Sequence, residues 1–191
     1  MRRLLLVALL ATAALLAGCA GTPERPATQV AVDDEVPAAT SMNEADIRFL
    51  RVMAAHTEQS VEIARSVQDR IDDPEIKILV GAVKATEFDE HVMTRAWLQA
   101  VDSDPAATAS PEDIGQAAID GGLDRLRDTP DAAVDAVLCE LLGTHHRTAA
   151  ELARSHAEAG TSPEVLAYAR RVEQSRAAGA DILDRLSSGD A

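Results

Sequence analysis

Aromatic side chains are nearly missing: 191 residues hold two phenylalanines, one tryptophan and one tyrosine. No stretch alternates β-branched and polar residues, so strands have no signature. Basic charge is also short. Eighteen Lys and Arg face thirty-two Asp and Glu, a formal charge of −14. Phosphate binding needs a basic footprint, so nucleic acid is excluded as a partner, and so is docking on anionic lipid by charge. There is no P-loop, no glycine-rich dinucleotide turn, no nucleophile elbow and no His-Glu-x-x-His. Nothing favours a hydrolase or a transferase, and a protein that is not an enzyme is expected.

The chain opens with Met1-Arg2-Arg3 and an uncharged run from Leu4 to Leu16, closing with Leu16-Ala17-Gly18-Cys19. A positive start, a short apolar stretch and small residues before a cut make a secretory signal. The run is too short for a spanning helix, which needs roughly 20 apolar residues. The ending resembles a bacterial lipobox. That resemblance implies residues 1–18 as a lipoprotein signal peptide and an acyl chain on Cys19. The anchor would hold the chain at the cell membrane or the outer membrane, outside the cytoplasm. Losing Arg2 and Arg3 leaves sixteen basic against thirty-two acidic residues, a formal −16. Cys139 is then the remaining cysteine, so no intrachain disulfide is available and the fold must rest on its core. Flanked by Leu138 and Leu141, Cys139 reads as a buried free thiol, with a metal ligand or redox thiol as the alternatives.

Residues 19–42 carry Pro23, Pro26 and Pro37 without helical periodicity and read as a flexible tether. From Asn43 on, Ala, Leu, Glu, Arg and Gln dominate at helical spacing. Asn43 caps a first helix running to about Ile71. Asp73-Pro74-Glu75 opens a second, to about Val101. Ser110-Pro111-Glu112 opens a short helix in the central connection, expected to break at Gly121-Gly122. Thr129-Pro130-Asp131 opens a third long helix, to near Gly160, and Thr161-Ser162-Pro163-Glu164 a fourth, to near Ser187. A shift of 89 residues superposes the two pairs without a gap: His56 falls on His145, Glu62 on Glu151, Ala64-Arg65-Ser66 on Ala153-Arg154-Ser155, and Pro74-Glu75 on Pro163-Glu164. Two helical hairpins, 43–101 and 129–188, joined through 102–128, predict an all-α, antiparallel four-helix bundle over 43–188.

Each long helix carries polar groups on its apolar stripe. The first reads Phe49, Met53, His56, Ser60, Ile63, Val67. The second begins Ile76, Leu79, Val80, Val83, turns polar at Glu87, Glu90, His91 and Thr94, then recovers at Trp97 and Leu98. The third places His145, with His146 beside it, among Val134, Leu138, Leu142 and Ala149. The fourth is interrupted by Arg176, the repeat equivalent of Glu87. Polar groups on a dry face must find partners, and two arrangements satisfy them. One is a metal site from His56, His145, His146 and His91, with Met53, Glu87 and Glu90 nearby; imidazole with methionine suits copper, imidazole with carboxylate suits zinc or iron. The other is a structural polar layer with a buried Glu87–Arg176 ion pair. A di-iron oxidase would want Glu-x-x-His pairs that the chain lacks. His156, near a helix end, reads as a dipole partner. Met42 falls in the tether and Met93 off the stripe.

Phe49-Leu50-Arg51-x-Met53-x-x-His56, Ile63-Ala64, Pro74-Glu75, Glu90 and Trp97-Leu98 resemble the first half of the bacterial domain of unknown function 305 family. Leu142-x-x-His145-His146, Ala149 and Leu152-Ala153 resemble its second half. The resemblance implies a ferritin-like bundle of duplicated hairpins, an exported protein, and for some members copper binding or metal tolerance. The family's His-His pair is His56-Thr57 here in the first half. Its Gln is Glu87 in one half and Arg176 in the other, its Met is Thr94 and Leu183, and its second-half acid is Gly179. The expected function is an extracytoplasmic, lipid-anchored metal-binding protein, copper first and zinc second. The alternative is an envelope lipoprotein whose metal site has become the Glu87–Arg176 layer.

Overall fold

The computed structural model describes residues 42–101, 110 and 115–188, and within them every regular element is an α-helix. The helices are α1 (Glu44–Val67), α2 (Pro74–Ala100), α3 (Gln116–Asp128), α4 (Asp131–His156) and α5 (Pro163–Ser188). The signal segment and Cys19 lie outside the described residues, as do residues 20–41 of the tether.

Local chemistry fixes most of the starts. Asn43 accepts from Asp46 N at 2.9 Å, and the Asp46 carboxylate accepts from Asn43 N at 2.9 Å, a reciprocal capping box. Asp73 accepts from Glu75 N at 2.7 Å and Ile76 N at 3.1 Å, with Pro74 in the first turn of α2. Three expectations need correction. The first helix ends at Val67, not near Ile71, and a turn swings Ile71 into the core. The third long helix, α4, ends at His156 rather than near Gly160. The connecting helix α3 runs straight through Gly121-Gly122. A Cβ on Gly122 would meet Leu141 Cδ1 at 2.5 Å, so this glycine allows close packing on α4 rather than stopping a helix.

The two hairpins, α1–α2 and α4–α5, cross-brace each other. The start of α1 lies against the α4–α5 turn, where the Asp46 carboxylate accepts from Thr161 N at 3.2 Å and Ser162 N at 3.1 Å. At the opposite end, Asp135 of α4 accepts from Asp72 N at 3.3 Å and Asp73 N at 2.8 Å in the α1–α2 turn. Asp46 and Asp135 are 89 residues apart, so the repeat makes the same clasp twice. The clasps bring each of α1 and α4 by its start to the other's far end, so the two run antiparallel. α2 and α5 meet through long side chains, with the Trp97 and Tyr168 rings edge-on at 5.8 Å.

The core is in two parts. One contains Ile63, Val67, Ile76, Val80, Leu126, Val134, Leu138 and Leu142. The other contains Phe49, Leu50, Met53, Trp97, Val165, Tyr168 and Val172, with Met42 and Met93 packed on its margin. Burying each large aliphatic side chain stabilises by about 1.5–3 kcal/mol. The bundle is therefore secured at both ends by apolar packing. Between the two clusters lies the polar layer.

Candidate functional site

Each of the four long helices contributes to that layer. α1 supplies His56, α4 supplies His145 and His146, α2 supplies Glu87 and Glu90, and α5 supplies Arg176. All but Glu90 are at most 4 % exposed. Their polar atoms have to be satisfied within the protein.

His56 and His145, equivalent in the repeat, stack face to face with ring centroids 3.6 Å apart and planes 18° from parallel. The His145 Nε2–H donates to the His56 carbonyl at 3.0 Å. This bond fixes the proton on Nε2. The His146 Nε2–H donates to Glu87 Oε1 at 3.0 Å. Arg176 Nε lies 3.3 Å from the same oxygen, and Arg176 Nη2 bonds Glu90 Oε2. One guanidinium thus binds both carboxylates that α2 brings to the layer. Glu87 and Arg176 are also repeat equivalents, so the pseudo-twofold relation passes through two facing pairs.

Electrostatics follow from dryness. Burial holds His56 well below the ordinary histidine range, with nearby His145 and Arg176 adding to it. Burial also brings His145 down to about 4, against the pull of Glu87. Both rings are neutral at pH 7. Glu87 is pushed up by burial, but the His146 hydrogen bond and the Arg176 charge outweigh that and lower it overall. For Glu90, burial wins over Arg176 and the shift is upward. The layer is a charge-compensated network in which His146 Nδ1 is the one ring nitrogen of the layer found buried without a hydrogen-bond partner.

The other candidates sit apart. His91, half-buried, donates from Nδ1 to the Ala54 carbonyl at 2.9 Å and faces the α1–α2 surface. Met53 packs in the apolar cluster with Phe49 and Trp97. Cys139 is buried and free, its thiol pushed up by burial to about 11. Copper and zinc fit poorly here. An imidazole lone pair lies in its ring plane, and an ion must sit about 2.0–2.1 Å from the nitrogen in that plane. The planes of His56 and His145 do not meet within such a reach. Among the described residues no three His, Cys, Asp or Glu side chains gather as a metal site.

Asp46 was not singled out by the sequence, and His156 does more than its place at a helix end implies. His156 closes α4, at the helix end where the sequence put it, and it is also buried: it stacks on Phe49 at 4.3 Å, and its Nε2 lies 3.1 Å from Asp46 Oδ1, misaligned for a hydrogen bond. Asp46 itself is fully buried. The signal for it was present, because Asp46 stands three residues after the Asn43 cap and 89 before another aspartate, Asp135.

Residues 46–186 match the family model described as Domain of unknown function (DUF305). The chain belongs to the DUF305 family. Two solved DUF305 structures share its fold. A DUF305 fragment from Deinococcus radiodurans superposes with a TM-score of 0.70 at 16 % identity, covering 77 % of this chain and 97 % of that one. The "putative secreted protein DUF305" from Streptomyces coelicolor gives 0.65 at 23 % identity, covering 73 % and 89 %. No curated protein matches. Among the described residues of this DUF305 chain, no helix is long and apolar enough to cross a membrane.

Proposed function

We propose that this DUF305 protein is a non-catalytic, extracytoplasmic module. An acyl chain on Cys19 holds it at a membrane, residues 20–42 space it from the surface, and its polar layer keeps two hairpins in register without a metal. The observation that carries this reading is Arg176. Its guanidinium occupies both Glu87 and Glu90, the carboxylates that an ion between these helices would need. A resident cation also disfavours a second one by direct repulsion. Parting either hairpin from this register would leave a buried charge without its partner, which is strongly destabilising. The Leu16-Ala17-Gly18-Cys19 ending supports the anchor, and the secreted character ascribed to the Streptomyces relative supports export.

Copper or zinc binding would need the layer to rearrange, with Arg176 withdrawn and the stacked rings turned apart. Calorimetric titration of the purified protein with copper(I), copper(II) and zinc tests this. No binding tighter than about 10 μM is expected. A stoichiometric site tighter than that would overturn the metal-free reading. The anchor is tested separately, by incorporation of a labelled fatty acid in producing cells. Label should enter the wild type and be lost from Cys19→Ser; equal labelling of both would remove the anchor from the proposal.

A further inference from the structure

The outer face of α2 is more apolar than a solvated helix face needs to be. Ile78 is 73 % exposed, Phe88 49 % and Val92 53 %, the three large hydrophobic side chains left in water among the described residues. They are not scattered. With the exposed Gly81 and Ala85 they form the series 78, 81, 85, 88, 92, alternating steps of three and four along one stripe. This stripe lies opposite Val80, Glu87 and Thr94, which α2 buries in its own bundle.

Gly81 adds an independent sign. Glycine inside a helix costs roughly 1 kcal/mol relative to alanine. Nothing lies within 4 Å of a Cβ placed there, so packing within the single chain does not ask for it. A small residue with open space above it suits close approach by another helix.

The charges beside the stripe say which helix. The chain has only two lysines, Lys77 and Lys84, seven residues apart on one edge of this stripe. Glu75 and Asp89 occupy the other edge. Lys84 donates one hydrogen bond to Gln68 at 2.9 Å and keeps two further donors. Asp89 is exposed and makes no ion pair with a described residue. A surface with one basic and one acidic edge is complementary to itself. Laid parallel about a twofold axis, the basic edge of each helix meets the acidic edge of the other. Lys84 then faces the second copy's Asp89, five residues on, twice per pair. An antiparallel pair would set the two lysine edges against each other. β-Branched residues at the first stripe position, here Ile78 and Val92, also favour two parallel strands.

We propose that the outer face of α2 docks a second copy of this chain as a parallel, twofold-symmetric pair. The assignment is independent of whether the polar layer binds metal. A closed pair buries both stripes and leaves no surface for further growth.

Sedimentation equilibrium of the purified protein tests association, and single cysteines test its geometry. A monomer–dimer equilibrium is expected below about 100 μM. Phe88→Glu with Val92→Glu should weaken it by more than roughly a hundredfold while leaving the helical circular dichroism unchanged. Lys84→Asp or Asp89→Lys alone should weaken it about threefold, and the two together should restore it. Under mild oxidation, Ile78→Cys alone and Val92→Cys alone should each cross-link to a dimer above the wild-type background set by Cys19 and Cys139. A monomer throughout the range, a dimer indifferent to the glutamates, or cross-linking only when the Ile78→Cys and Val92→Cys proteins are mixed would each overturn the proposal.

Discussion

The two hairpins began as the same sequence pattern, and they differ most where they meet. At the ends the repeat is kept: Asp46 and Asp135 each receive the backbone N–H groups of the opposite turn. At the middle it is broken. Glu87 faces Arg176, Thr57 stands where the other half has His146, and Glu90 where the other half has Gly179. These differences are complementary. Two glutamates at 87 and 176 would repel in a dry interior, and two arginines would do the same. One of each forms a pair. Gly179 in turn makes room for His146, because a Cβ there would meet His146 Nδ1 at 2.6 Å. Thr57 turns its hydroxyl back to the Met53 and Ala54 carbonyls and needs no partner from α5. The halves have drifted apart in step at the axis while their clasps stayed alike.

Breaking the central pair should have the largest effect. Arg176→Gln leaves Glu87 and Glu90 buried without their cation and should cost about 3–5 kcal/mol in urea or thermal denaturation at pH 7. Adding Glu87→Gln should recover much of the loss. An unchanged midpoint in the single variant would mean that the layer does not hold the halves together.

The clasps come next, and they should not be equal despite their common origin. Asp46 is fully buried, so Asp46→Ala strands the buried Ser162 amide and should cost about 2–3 kcal/mol. Asp135 is half-exposed and its turn reaches water, so Asp135→Ala should cost no more than about 1 kcal/mol. Equal losses would show that burial does not separate the two ends. A smaller change tests the room made at the axis. Gly179→Ala should destabilise by about 1–2 kcal/mol, because His146 must give way within a packed layer.

The smallest net response is expected from pH, because the layer holds groups that shift in opposite senses. His56 and His145 are depressed in the folded state, so below pH 6.5 the unfolded chain takes up protons that the native rings refuse. Their contribution is complete above 6.5 and declines as the pH falls toward 4. Glu90, raised by burial, works the other way: its contribution is present at low pH and is lost as the pH climbs from 4.5 through its elevated folded value. The net expectation is a modest loss between pH 6.5 and 5, seen as a falling denaturation midpoint, and His145→Leu should flatten it. A wild-type profile that His145→Leu leaves unchanged would place that ring in contact with water.

Much of the fold could be read from particular residues. Asn43, Asp73-Pro74 and Ser162-Pro163 mark helix starts because capping is local chemistry, decided by a side chain and the amides two or three residues on. The inward stripes could be read because burial follows a 3.6-residue period. Gly121-Gly122 misled for the same reason in reverse: a glycine pair is a stop signal only when no neighbour demands close approach, and Leu141 is distant in sequence. The site was half visible. Repeat equivalence placed Glu87 opposite Arg176, since a twofold relation sends equivalent positions to one another. It gave no sign of how the rings would lie.

By itself, then, the sequence determined the four long helices, the duplication and the buried faces, and it offered the pairing of Glu87 with Arg176 as one of two arrangements, all of which follow from short-range periodicity or symmetry. Tertiary structure decided that His56 and His145 stack rather than converge, that His146 turns to Glu87 and His91 away to Ala54, and that Asp46 with His156 pins one end. Those outcomes depend on rotamers chosen under close packing, where a ring's direction is set by every neighbour at once and by no local rule.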